Sequence, residues 1–116
     1  MDDFFADYQA ARPLFAAVQR SIESLGPIEL HVTRSQIAFR RRKPFAWVWV
    51  PERYLRRKVA PLVLTVGLRR RDASPRWKQI VEPAPGRFTH HLELYAVEDL
   101  DDEVRGWLHE AWLEAG

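Results

Sequence analysis

The sequence predicts a two-layer α+β domain, in which a mostly antiparallel five-stranded sheet carries the N- and C-terminal helices on one face. Three observations lead to this prediction. Apolar residues recur at helical spacing near both ends of the chain, they recur at a period of two in its middle, and the connections between the central strands are short. The chain has 116 residues, of which 47% are hydrophobic, so we expect a single domain over residues 1–116 with one core.

The first helix is predicted from the apolar residues of the N-terminal segment, which step by alternating threes and fours. A proline fits the first turn of a helix, so we expect the helix to begin near Pro13, after a short turn around Asp3–Tyr8. Gly26 and Pro27 end it. Its apolar face consists of Phe4, Tyr8, Ala11, Phe15, Val18, Ile22 and Leu25.

Five strands follow from the change of period at Ile28 and from the runs of β-branched and aromatic residues. Because the connections between the first four strands are too short to hold a crossover, these strands are predicted to form an antiparallel meander. Residues 69–87 contain three prolines and are predicted to be a long loop with room for one helical turn near Trp77–Val81. The predicted strands are 28–33, Gln36–Arg41, Phe45–Val50, Leu62–Leu68 and Phe88–Tyr95.

The last helix is predicted from an acidic start followed by an apolar stripe. Carboxylates near a helix N-terminus interact favourably with its positive dipole end. The acidic start consists of Asp99, Asp101, Asp102 and Glu103, and the stripe of Leu100, Val104, Trp107, Leu108, Ala111 and Trp112.

Two segments, LGPIELHVTRSQIAFRRRKPFAWVWVPERYL and WKQIVEPAPGRFTHHLELYAVEDLDDEVRGWLHEA, carry a resemblance to a known family. The features that match are the LGP after the first helix, the TRSQIAF stretch at Thr33–Phe39 and the acidic start of the last helix. They resemble a family of small bacterial proteins and C-terminal modules that is catalogued only as a domain of unknown function. The resemblance implies a compact α+β module and supplies no site residues.

The net charge of +2 conceals an uneven distribution, because residues 1–33 sum to −3, residues 34–78 to +12 and residues 79–116 to −7. A segment as basic as the central one attracts anions, phosphates or nucleic acid. The arginine-rich, alanine-rich composition of a GC-rich genome explains the same block without a ligand, so both interpretations stay open. The meander gathers the basic residues at two ends of the sheet: Arg41, Arg42, Lys43, Arg69, Arg70 and Arg71 at one, and Arg34, Arg53, Arg56, Arg57 and Lys58 at the other.

Several classes of protein are excluded by what the sequence lacks. Without cysteine there are no disulfides, thiolate zinc sites or cysteine nucleophiles, and without an N-terminal leader we expect a cytoplasmic protein. No apolar run reaches the roughly 18 residues of a membrane span, so no membrane partner is expected. There is no Gly-x-Ser-x-Gly motif and no glycine-rich phosphate loop, so we assign no catalytic residue, cofactor or metal.

Two tryptophans in the third predicted strand, Trp47 and Trp49, share one face of the sheet. If this face carries no helices, the two indoles can stack against planar ligands beside arginines. If it is the helix side, they belong to the core. The burial tendency of aromatic residues favours the core position. Trp77 in the long loop is either a lid over the sheet or, as we favour, a plug that anchors the loop.

The leading hypothesis is therefore a small soluble binding module, not an enzyme, for an anionic and possibly planar ligand such as a nucleotide or a nucleic acid. The alternatives are a self-association domain, in which the basic middle of one chain meets the acidic last helix of another, and a metal-dependent hydrolase. The hydrolase needs the last strand beside the first one, to gather Glu29, His31, His91 and Glu93. The ligand-binding residues assigned by the leading hypothesis are Arg34, Arg40, Trp47, Trp49, Arg70, Trp77, Lys78 and His91.

Overall fold

The computed structural model describes residues 2–53 and 58–116. These form two helices, α1 (Ala11–Glu23) and α2 (Asp102–Glu114), and short 3-10 helices at Asp2–Phe5, Pro51–Arg53 and Val97–Asp99. The strands are β1 (Glu29–Val32), β2 (Ile37–Arg40), β3 (Pro44–Trp49), β4 (Leu62–Leu68), β5 (Gln79–Ala84) and β6 (Arg87–Leu94).

The strands form one antiparallel sheet in the order β1-β2-β3-β4-β6-β5. The predicted α+β class is confirmed, and the first four strands are the predicted meander. The sheet has six strands rather than five, because a hairpin of β5 and β6 adds to the edge of β4 with β6 on the inside.

The missed strand β5 lies in the segment predicted to be a loop with a helical turn. Its prolines argue against a central strand, but β5 is an edge strand, and the register shifts between Val81 and Ala84, where Pro83 lies. An edge strand tolerates a residue without an N–H. Pro85 and Gly86 then form the turn to β6, and Gly86 takes a φ of +74° that favours glycine.

Both helices pack on the same face of the sheet, as predicted. Phe15 of α1 stacks on Phe39 of β2 with ring centroids 6.1 Å apart. Trp107 of α2 stacks on Trp77 at 4.1 Å, and Trp77 contacts His90 of β6 at 4.9 Å. The buried strand residues on this face are Ile37, Phe39, Ala46, Val48, Leu62, Leu64, Val66, Leu68, His90, Leu92 and Leu94.

Helix α2 begins where the acidic cluster predicts it. The Asp101 side chain accepts a hydrogen bond from the Val104 N–H at 3.1 Å, which satisfies one of the free donors of the first turn. Among the described residues, no helix combines the length and the apolar character that a membrane crossing needs.

Candidate functional site

The face of the sheet turned away from the helices, called the open face below, carries Trp47 and Trp49. Because Ala46 and Val48 are buried toward the helices, the alternation of β3 turns the two indoles to the other side. The core position that burial tendency favoured for them is therefore wrong. Both indoles are half-buried, and the cross-strand neighbours of Trp47 are Ala38 and Thr65.

A chain of polar contacts fixes Trp49 on this face. Its Nε1–H donates to Thr65 Oγ1 at 3.2 Å, and this oxygen lies 2.7 Å from His91 Nδ1. The rings of Trp49 and His91 meet edge to face, with centroids 6.2 Å apart and an interplanar angle of 88°. Burial, and secondarily the charge of His90, lowers the pKa of His91, so its imidazole is neutral near pH 7. When Thr65 donates to Nδ1, the Nε2–H of His91 remains as a donor toward a ligand.

Trp47 lies against β4 at a glycine. A Cβ on Gly67 would stand 3.4 Å from Cζ3 of the Trp47 ring, at van der Waals contact, so the indole packs directly over the glycine. A depression of about 290 Å³ opens between the two indoles and is lined by Gln36, Trp47, Trp49, Thr65, Thr89 and His91.

A larger cleft of about 620 Å³ lies next to this depression, and the two share Trp47 and Thr89 as lining residues. It lies at the end of the sheet where the β2–β3 turn, the end of β4 and the β5–β6 turn meet the C-terminus of α2. Apolar side chains such as Phe45 and Phe88 line it together with Lys43, Arg69 and Arg87. The depression and the cleft together are called the groove below.

The remaining predicted cations lie around the open face with different degrees of engagement. Arg40 is exposed on this face and donates to the Arg42 carbonyl at 3.4 Å. Arg34 is exposed in the β1–β2 turn. Lys78 lies beside β5, with its Nζ 4.0 Å from a Glu93 carboxylate oxygen. Arg56 and Arg57 lie outside the described residues.

Arg70 is held by carboxylates instead of facing a ligand. It donates to Glu110 of α2 at 2.7 and 2.9 Å and to Asp72 at 2.8 Å, and these bonds, Glu110 first, raise its pKa above the ordinary value. Arg76 pairs in the same way with Asp101 and Glu103 of the acidic segment, each at 2.9 Å. Two arginines of the basic middle thus pair with the acidic last helix and its start within one chain, whereas the self-association alternative pairs these regions between two copies.

Trp77 is buried on the helix side and is not part of the open face. Its Nε1–H donates to Asp72 Oδ2 at 2.9 Å, and only 8% of the residue is exposed. The neighbouring His90 is fully buried, and burial lowers its pKa. Its Nε2 accepts from the Asp72 N–H at 3.0 Å, which leaves Nδ1–H to donate to the Val66 carbonyl at 3.2 Å. Trp77 is thus the predicted plug that anchors the loop, and not a lid.

A family model for a domain of unknown function, DUF5655, matches residues 1–114. The chain belongs to the DUF5655 family. No curated protein and no solved structure matches it significantly. The resemblance to a domain of unknown function that was stated from the sequence is therefore confirmed. The description of the family names no reaction or ligand, so the geometry of the DUF5655 domain is the only basis for a proposed site.

The strand order of the DUF5655 domain separates the residues that the metal-dependent hydrolase alternative would have to gather. Three strands lie between β1 and β6, so His31 and His91 stand about 19 Å apart at the usual strand spacing. Over residues 2–53 and 58–116, no three or more His, Asp or Glu side chains gather closely enough to hold a metal ion. The condition that the hydrolase alternative requires, with the last strand beside the first, is therefore not met.

Of the eight residues assigned from the sequence, the DUF5655 fold brings Trp47, Trp49 and His91 together, with Arg40 on the same face. It places Arg70 and Trp77 on the helix side. The groove also contains residues that the sequence did not assign to a site: Gln36, Lys43, Thr65, Gly67, Arg87 and Thr89. A glycine inside the apolar run of β4 is a sequence signal of close approach that could have drawn attention to this part of the sheet.

Proposed function

We propose that this domain binds a planar anionic ligand, a nucleotide or a short single-stranded nucleic acid, in the groove of the open face. The observation that carries the proposal is the position of Trp47 and Trp49 on a sheet face that neither helix covers. Partly exposed indoles on a sheet are a surface on which bases stack, and each stacked base contributes about 1–3 kcal/mol.

The planar part of the ligand is assigned to the depression between the indoles. The Trp49 ring is fixed by Thr65, so little conformational entropy is lost when a base stacks on it. Within the part of the chain that the structure describes, the indole N–H of Trp47 and Nε2 of His91 have no protein partner. These groups, together with the Gln36 amide at the rim, offer hydrogen bonds to the edge of a base.

The anionic part is assigned to the cleft. Lys43 and Arg87 line it and form no ion pair with any described residue, whereas Arg69 already donates to Glu114 of α2 through its backbone N–H and its guanidinium. Because the cleft and the depression share Trp47 and Thr89 in their walls, they are neighbours, and the proposal places one ligand across both. A phosphate beside two free cations and a base on the indoles is the arrangement that fits a nucleotide.

The test is a fluorescence anisotropy titration with a labelled 12-residue oligothymidylate, with AMP and ATP as competitors, at low and at moderate salt. We expect binding at low salt, and about 5- to 150-fold weaker binding by Trp47→Ala and by Trp49→Ala, which corresponds to one lost stacking contact each. Lys43→Gln and Arg87→Gln reduce the slope of log Kd against log salt by about 0.7 for each phosphate contact removed.

The matched control is Trp112→Ala, because Trp112 is a half-buried indole on α2 and takes no part in lining the groove. It leaves the affinity unchanged. Failure of the oligonucleotide and both nucleotides to bind at low salt refutes the proposal, and so does an equal loss of affinity in the control and in the two groove variants.

A further inference from the structure

The two edges of the sheet differ in how they are protected against pairing with another strand. The β5 edge carries Pro83, an irregular register and the charged Glu82, which are features that natural proteins use to block edge pairing. The β1 edge has a regular register along its whole length and no proline. Its Val32 is 43% exposed.

The hydrogen-bond alternation shows which groups of β1 face outward. The Thr33 N–H donates to the Gln36 carbonyl at 2.9 Å, and this pair continues the register of β1 and β2. Because hydrogen-bonded and non-bonded pairs alternate in an antiparallel ladder, His31 bonds to β2, whereas the main-chain groups of Leu30 and Val32 point away from it. Among residues 2–53 and 58–116 these groups have no backbone partner, so they form an open row on the outer edge.

This row is complementary to a second copy of itself. When two β1 strands pair antiparallel about a two-fold axis through His31, Leu30 of each chain lies opposite Val32 of the other. These are the residues whose N–H and C=O groups point outward, so both pairs become hydrogen-bonded pairs and His31 faces its own copy in the non-bonded pair between them. No shift of register is needed.

The side chains support the same register. Leu30 and Val32 are on the helix side of the sheet, and Leu30 already packs against the core, so the exposed Val32 of the second copy extends the apolar surface. Glu29 begins β1 and Arg34 follows it. Antiparallel pairing therefore places the acidic start of each strand near the basic end of the other, at both ends of the interface.

We propose that a second copy of this chain binds at the outer edge of β1, antiparallel and centred on His31, and joins the two sheets into one continuous sheet. The interface rests on short strands, and small interfaces are typical of transient complexes. The dimer is therefore concentration-dependent. The two open faces lie on the same side of the joined sheet, because the two-fold axis is perpendicular to it.

The test uses the absence of native cysteine, so that an introduced cysteine reacts only with its own copy. In the proposed register His31→Cys places two thiols in the non-bonded pair, where the Cα atoms are about 4.5 Å apart, within the range of a disulfide. Glu29→Cys is the matched control, because Glu29 is on the same strand and face and lies opposite Thr33. We expect His31→Cys to form a covalent dimer at least tenfold faster under mild oxidation, read on a non-reducing gel.

A second pair of variants tests the edge itself. Val32→Lys, introduced into the His31→Cys chain, abolishes the cross-linking and the rise of molar mass with concentration in sedimentation velocity. Val81→Lys leaves both unchanged, because Val81 is a similarly exposed valine, at 38%, on the protected β5 edge. Circular dichroism of each variant confirms the fold.

Four outcomes overturn the proposal. The first is an equal cross-linking rate for His31→Cys and Glu29→Cys, which indicates random collision. The second is a folded Val32→Lys variant that cross-links as fast as its parent. The third is a wild-type chain whose molar mass stays that of the monomer up to millimolar concentration. A mass that rises while His31→Cys does not cross-link places the contact elsewhere and refutes the register.

Discussion

Trp77 and Trp47 lie on opposite faces of the sheet, and replacing each of them by alanine is expected to lower the free energy of unfolding by different amounts. Trp77 on the helix side is 8% exposed, stacks on Trp107 and donates to Asp72. An indole buries roughly 200 Å², and at roughly 25 cal/mol per Å² its loss is equivalent to about 5 kcal/mol. Because the unfolded chain already buries part of this surface, we expect Trp77→Ala to lower the free energy of unfolding by about 3–5 kcal/mol.

Trp47 on the open face is only partly buried, so Trp47→Ala is expected to cost about 1–2 kcal/mol of stability. Urea denaturation followed by far-ultraviolet circular dichroism measures both variants without relying on the fluorescence of the remaining indoles. For a domain of this size, the larger loss lowers Tm by about 12–20 °C. A Trp77→Ala variant less destabilised than Trp47→Ala contradicts the assignment of Trp77 as a plug and restores the lid hypothesis.

Three further predictions concern the polar contacts. Thr65→Val leaves the Trp49 N–H without its acceptor and costs about 1–2 kcal/mol, measured by urea denaturation, and unchanged stability contradicts the contact. Glu110→Gln removes an exposed ion pair of Arg70 and costs roughly 0.2–1 kcal/mol at low salt, a difference that should vanish in 1 M NaCl. Burial lowers the pKa of His90 and His91 below the ordinary 6.5, so on acidification the unfolded chain binds protons at these two histidines before the folded chain does. The free energy of unfolding is therefore expected to fall as the pH drops below about 6.5. A flat profile of the free energy of unfolding between pH 8 and pH 5 contradicts this.

The elements with strong periodicity could be predicted from the sequence. The first helix begins at Ala11, within two residues of the expected Pro13, and the last helix begins at the acidic cluster. Four of the five predicted strands form the expected meander, and the fifth, β6, pairs with β4. The strand β5 was missed because its prolines are compatible only with an edge, and local sequence does not show which strand lies at an edge.

The side of the sheet taken by the tryptophans could not be predicted from the pattern of β3. Phe45–Val50 is apolar at every position, so alternation gives two faces but does not say which one meets the helices. The structure places the small Ala46 toward the helices and the large Trp47 outside. Burial tendency, the only guide available from the sequence, favours the opposite arrangement.

The ion pairs of Arg70 and Arg76 could not be predicted from the sequence for a different reason. Arg70 and Glu110 are 40 positions apart, and Arg76 and Asp101 are 25 apart, so their meeting depends on how α2 lies across the sheet. A net charge by segment shows that complementary blocks exist but not whether they pair within a chain or between chains.

The most direct test of the central claim, that the open face is the ligand surface, is a titration of 15N-labelled protein observed through its five indole N–H signals. With a short oligonucleotide or a nucleotide, we predict that the signals of Trp47 and Trp49 shift in proportion to saturation, while those of Trp77 and Trp107 stay in place. Shifts confined to Trp77, Trp107 or Trp112, or no shift at saturating ligand, contradict the account.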